Sequence, residues 1–116
     1  MRRFRLAVVA AMVGLTSPAL AADGDPEAGR LLADTCKGCH GIPGYANAYP
    51  TYSVPKLGGQ HEQYLVSALK AYQSGARGHR TMQAQVSGLS EQQMRDIAAY
   101  FASLGPKQAT GTQDQQ

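Results

Sequence analysis

Of the 116 residues none is tryptophan, two are phenylalanine and two are cysteine. Two cysteines three positions apart, Cys36 and Cys39, cannot form a disulfide framework, so the fold has no covalent staples of that kind. Apolar runs are short: the longest, residues 6–15, falls below the length that spans a bilayer. There is no internal repeat and no alternating strand pattern. A net charge of +3 and a pI near 9.0 suggest a nucleic-acid partner only until the charges are located.

Three of the eleven basic residues, Arg2, Arg3 and Arg5, open the chain ahead of the apolar run, and Ala19-Leu20-Ala21 follows it. That order reads as an export signal with cleavage before Ala22, and it lacks the fuller twin-arginine pattern. All eight acidic residues lie beyond it, so the remaining 95 residues carry no net side-chain charge. The basic excess belongs to the leader and no nucleic-acid case survives. The expected layout is a signal peptide over 1–21, one domain over 22–106 and a disordered polar tail over 107–116. The mature chain is expected in the periplasm with no stable membrane insertion. A domain of this size has a marginal core, and a large buried apolar cofactor would supply what the side chains lack.

Cys36-Lys37-Gly38-Cys39-His40 names that cofactor. Two thiols at this spacing, followed at once by an imidazole, form the attachment pattern of a c-type haem: each sulfur bonds one vinyl group and His40 is delivered to the iron. A thioredoxin-like redox pair would need a βαβ context, and a zinc site would need further ligands nearby.

The rest of the chain reads as helices around that motif. Asp25-Pro26-Glu27 is a helix start, leading to a helix into Cys36 with Leu31, Leu32 and Thr35 inward and Gly29 at a close approach of another element. Residues 41–59 form an irregular loop that offers Ile42, Tyr45, Tyr49, Tyr52, Val54 and Leu57 to a flat apolar ring. Residues 61–74 place Tyr64, Leu65, Ala68, Leu69 and Tyr72 at helical spacing before Gly75. Residues 75–85 read as a polar loop whose one sizeable apolar side chain is Met82. Ser90-Glu91-Gln92-Gln93 is a capping box, and Met94, Ile97, Ala98, Phe101 and Leu104 follow at helical spacing until Gly105-Pro106.

With His40 on one side of the iron, the candidates for the other side are Met82, Met94, His61 and His79. Met94 lies on the inward face of a helix, where methionine is ordinarily core. His61 begins a helix too near the proximal segment to reach the opposite face easily. Met82 is the leading candidate, with His79, three residues away, its rival. A His/Met pair closes the iron and raises its potential, which favours outer-sphere electron transfer.

These features together resemble a class I c-type cytochrome: the haem motif after an N-terminal helix, Val54-Pro55-Lys56-Leu57-Gly58-Gly59-Gln60, Thr81-Met82, and Leu89-Ser90 leading to Asp96-Ile97-Ala98-Ala99-Tyr100-Phe101. The similarity is closest to the single domains found in tandem in di-haem cytochromes of the c-four type. It implies an all-α fold with about three main helices around one covalently bound haem c. It also implies that the Pro55 carbonyl orients His40, that Met82 is the distal ligand, and that Gly29 and Tyr100 mark a helix crossing. Arg77 and Arg80 are either partners of the haem propionates or solvated loop charges.

The expected function is a monomeric, non-enzymatic carrier of single electrons between a donor and an acceptor protein that dock transiently, with Lys37 and Lys56 either on the rim of contact or plain surface residues. The alternatives are a haem sensor or small peroxidase-like enzyme with a labile sixth ligand, in which His79 would be the polar group, and a haem subunit of a dehydrogenase.

Overall fold

The computed structural model describes residues 23–48 and 53–106; the leader, Tyr49 and Tyr52 of the central loop, and the polar tail lie outside them. Among the described residues the chain forms five helical segments, and its only strand-like pairing is an isolated antiparallel bridge between Ala46 and Ser53.

The expected first helix is divided into α1, Pro26–Leu32, and α2, Asp34–His40. Asp25 caps α1, its carboxylate accepting from the backbone N–H groups of Glu27 and Ala28, with Pro26 in the first turn. The bend falls at Ala33 (ψ 4°), yet Ala33 N–H donates to Gly29 O at 2.8 Å and Lys37 N–H to Ala33 O at 2.9 Å. The ladder therefore crosses the bend, and helix continues four residues beyond the expected end at Cys36, so the whole haem motif is helical.

The expected inward stripe is also corrected. Leu31 is 66% exposed and Thr35 is exposed, whereas Gly29 and Ala33 are buried and Leu32 and Cys36 half-buried. Gly29 and Ala33 lie four apart on one helix face, and centring the contact on these small residues turns Leu31 outward. A β-carbon at Gly29 would overlap the Asp96 carbonyl and lie 2.9 Å from Tyr100 Cβ, so the glycine has the close-approach role expected of it.

Helix α3, Glu62–Ser74, ends at Gly75 in the left-handed conformation (φ 80°). It buries Leu65, half-buries Ala68, Leu69 and Tyr72, and leaves Tyr64 exposed rather than inward. The stretch expected as a loop around Met82 contains α4, Arg80–Val86. Its N-cap is His79, whose ring nitrogen accepts from Met82 N–H at 3.3 Å, and Val86 is its buried anchor.

Helix α5, Glu91–Ser103, is central. Its capping box is complete: Ser90 Oγ accepts from Gln93 N–H, and Gln93 Oε1 accepts from Ser90 N–H. Met94, Ile97, Ala98 and Phe101 are buried, while Leu104, expected to end the stripe, is the C-cap and 54% exposed. Ala33, Leu65, Ile97, Ala98 and Phe101 form the core where α1, α3 and α5 meet, with Leu57, Leu69 and Leu89 packed against it.

Asp96 adds a buried polar tie. Its carboxylate accepts from Asp25 N–H and from the Gln92 amide, each at 2.9 Å, which joins the start of α1 to the middle of α5.

Candidate functional site

Cys36 and Cys39 lie one turn apart on α2, and His40 is its last residue. Helical geometry places residues i and i+3 on one face, so both sulfurs stand on the same side of the helix. Cys36 is half-buried against the core and Cys39 is exposed, with no disulfide between them. Burial pushes the Cys36 thiol above its ordinary range, opposite to the depressed values of catalytic CxxC pairs. Among the described residues no three His, Cys, Asp or Glu side chains gather to hold a metal ion, so the zinc arrangement has no counterpart there.

Gly41 is the C-cap of α2, its N–H donating to Lys37 O at 3.0 Å. The chain then leaves as the central loop, whose two limbs are drawn together by Val54 N–H donating to Tyr45 O at 2.9 Å and by the Ala46–Ser53 bridge. The second limb brings the Pro55 carbonyl to 2.7 Å from His40 Nδ1. A carbonyl only accepts, so Nδ1 carries the proton and Nε2 keeps its lone pair as a ligand atom. Beyond Pro55, Leu57 packs on the core and Gly59 (φ 82°) donates its N–H to Phe101 O at 2.8 Å. A β-carbon at Gly59 would meet Gly105 Cα at 3.0 Å, so two glycines allow the loop to lie directly on the end of α5.

A hollow of about 330 Å³ flanks His40, lined by Lys37, Ile42, Lys56, Tyr100, Phe101 and Leu104 among others. Ile42 and Leu104, both large and exposed, border it. Lys37 and Lys56 are separated by a loop in sequence yet border the same depression. Lys37 also pairs with Asp34 at 2.7 Å and stands 5.8 Å above the Tyr100 ring.

Met82 is half-buried in the first turn of α4. Met94 is 1% exposed within α5, where it acts as core. His61 is exposed at the N-cap of α3. His79 caps α4, and its ring meets Tyr72 edge-on with centroids 6.3 Å apart. Arg77 lies over the Tyr72 ring at 4.8 Å, and Arg80 is exposed as the first residue of α4.

Sequence reasoning missed Gln73, in the last turn of α3. Its amide donates to Val86 O at 3.0 Å and to Leu89 O at 2.8 Å, which satisfies carbonyls at and beyond the end of α4. A glutamine on an exposed helix face carries no signal of such a role. Histidine, too, is outside the usual N-cap set, so α4 had no start signal.

The residues present suit a covalently held porphyrin: same-side thiols, an imidazole with a fixed donor atom, and half-buried Cys36, Leu57, Leu69 and Leu89 at the edge of a small core. Comparison with known proteins agrees. The family model described as cytochrome c matches residues 26–105. The chain is 43% identical over 91 residues to cytochrome c4 of Pseudomonas aeruginosa, covering 78% of this chain and 43% of that protein. It is 42% identical over 83 residues to cytochrome c-554(548) of Halomonas halodenitrificans, covering 69% of this chain and 96% of that one. A solved thiosulfate dehydrogenase of Marichromatium purpuratum superposes with a TM-score of 0.58 at 36% identity, over 75% of this chain and 21% of the other. The chain spans less than half the length of the first curated relatives it matches.

Proposed function

The chain belongs to the cytochrome c family, whose members carry covalently bound haem c, and from that premise we propose that it is a periplasmic one-electron carrier with iron held by His40 and Met82. Cys36 and Cys39 would hold the haem through thioethers. When bound, the haem supplies a ferric/ferrous couple that exchanges one electron without proton or group transfer.

The residues provide the rest. His40 is held by the Pro55 carbonyl, which orients its ring and would make Nε2 a better donor to iron. Met82 offers a neutral thioether from α4 and so favours the ferrous state relative to a second imidazole. His79 is engaged at the N-cap of α4 and in contact with Tyr72, an arrangement that supports Met82 over His79 as distal ligand. With both His40 and Met82 holding the iron, no position would remain for a substrate, which favours electron transfer over the sensor and peroxidase-like readings. Lys37 and Lys56 on the rim of one hollow, with Ile42 and Leu104 exposed in it, suit brief docking of a redox partner with an acidic rim and an apolar centre. The domain is expected to span 22–106 and to act as a monomer.

The observation that carries this reading is the 2.7 Å contact between His40 Nδ1 and Pro55 O at the end of the helix that bears both thiols. The test is the optical spectrum of the purified protein, ferric and ferrous, with and without carbon monoxide. A thioether-to-ferric charge-transfer band with no response to carbon monoxide is expected. Ready carbon monoxide binding would overturn closed His/Met ligation.

A second reading, a haem subunit held permanently by a dehydrogenase, is favoured by the likeness to part of a thiosulfate dehydrogenase. Co-purification of the native protein in a stable larger complex would support it. Isolation as a free, soluble monomer would exclude it.

A further inference from the structure

We infer that Gln73 and His79 are positioning residues that hold α4 at both ends and thereby set how firmly Met82 occupies the iron. The inference rests on the assignment of Met82 as axial ligand.

Helix α4 has seven residues, too few to be stable on its own, so its place depends on what holds it. Its packing partner is α3. At the N-terminal end, His79 accepts from the N–H of Met82 itself, so the cap acts directly on the backbone that carries the thioether. The same ring rests edge-on against Tyr72 of α3, and Arg77 covers the Tyr72 ring while its N–H donates to Ala71 O. At the other end, Gln73, one residue along α3 from Tyr72, donates to Val86 O and Leu89 O. Val86 anchors that end in the interior. Neighbouring residues of the last turn of α3 therefore grip opposite ends of the short helix.

A ligand-bearing segment held this way opens at a free energy set by those grips rather than by the global stability of the domain. Weakening either grip raises the fraction of molecules whose iron has lost the thioether. An exogenous ligand then binds with an apparent affinity that rises in proportion to that fraction.

The test is imidazole titration of the ferric holoprotein, followed through the thioether charge-transfer band, for wild type, His79→Ala, His79→Asn and Gln73→Ala. Loss of a helix cap predicts about fivefold tighter imidazole binding for His79→Ala. His79→Asn, which restores an N-cap acceptor, should return the affinity to within about twofold of wild type. Gln73→Ala, an exposed site where folding is not at risk, should tighten binding by about fivefold. The inference is overturned if His79→Ala and Gln73→Ala lower the thermal midpoint while imidazole affinity stays at the wild-type value, or if His79→Asn fails to rescue. Met82→Ala separates this from the parent reading. If the charge-transfer band is absent in wild type or survives in Met82→Ala, the ligand assignment has failed. If Met82→Ala alone abolishes the band and the positioning variants are silent, only the inference has failed.

Discussion

The two sides of the proposed site are built differently. On the His40 side, backbone meets backbone: α1 crosses α5 through Gly29, the loop lies on the end of α5 through Gly59 and Gly105, and His40 itself is held by a main-chain carbonyl. On the Met82 side, side chains hold a seven-residue helix: the ring of His79 at one end, the amide of Gln73 at the other and Val86 as a plug. Backbone contacts have few alternatives, because no rotamer change relieves them. Long side chains have many, and each bond they make costs rotamer entropy. The architecture therefore fixes the His40 side and leaves the Met82 side softer.

The largest expected effect comes from attacking a backbone contact. Gly29→Ala inserts a β-carbon into the Asp96 carbonyl and should cost on the order of 4 kcal/mol. Chemical denaturation of the holoprotein measures this; a loss under about 1 kcal/mol would show that the crossing yields more readily than the contrast between the two sides requires.

Next come the two methionines, which should part company. Met94→Ala, at a site 1% exposed, should cost about 3 kcal/mol through a cavity and leave the charge-transfer band and carbon monoxide response unchanged. Met82→Ala should cost far less stability and open the iron to carbon monoxide. The reverse pattern would exchange core and ligand.

Ser90→Ala removes the capping box of α5 and should cost about 1 kcal/mol of global stability without touching α4, which packs on α3. Equilibrium unfolding reads the loss, and an unchanged imidazole affinity should accompany it.

The smallest effect lies on the surface. Glu91 accepts from Lys70 and Arg95, each at 2.7 Å, and these partners hold its carboxyl below the ordinary value, the Lys70 bond foremost. A carboxylate whose folded pKa is lowered contributes stability above its unfolded pKa of 4.5 and loses it as pH falls through the folded value. Glu91→Gln should therefore lower stability slightly at neutral pH, and the difference from wild type should vanish in strong acid or high salt. Thermal midpoints across pH 2 to 7 check the sign.

Legibility in the sequence follows the same divide. The Asp25 cap, the Gly75 stop and the capping box at Ser90 are readable because each rests on a local rule, and Gly29 because a glycine inside a helix signals a close approach. The outward turn of Leu31 was not readable, since it follows from which face α1 gives to α5. Nor was α4, whose cap is a histidine and whose anchors come from α3. Its residues, Arg-Thr-Met-Gln-Ala-Gln-Val, show one buried side chain and no apolar stripe, so a polar loop was the natural reading.

By itself the sequence determined the spacing on which the proposed attachment rests, because one helical turn puts Cys36 and Cys39 on one face with His40 next in the chain. It likewise determined the ends of the long helices, where a side chain meets a backbone group at most three residues away. Only the tertiary structure brought the Pro55 carbonyl, whose role the family resemblance implied, to 2.7 Å from His40, set Lys37 and Lys56 around one hollow, and put Met82 on a helix gripped by Gln73 and His79. Those juxtapositions depend on how separate elements settle against a shared core, and no local spacing rule contains that information.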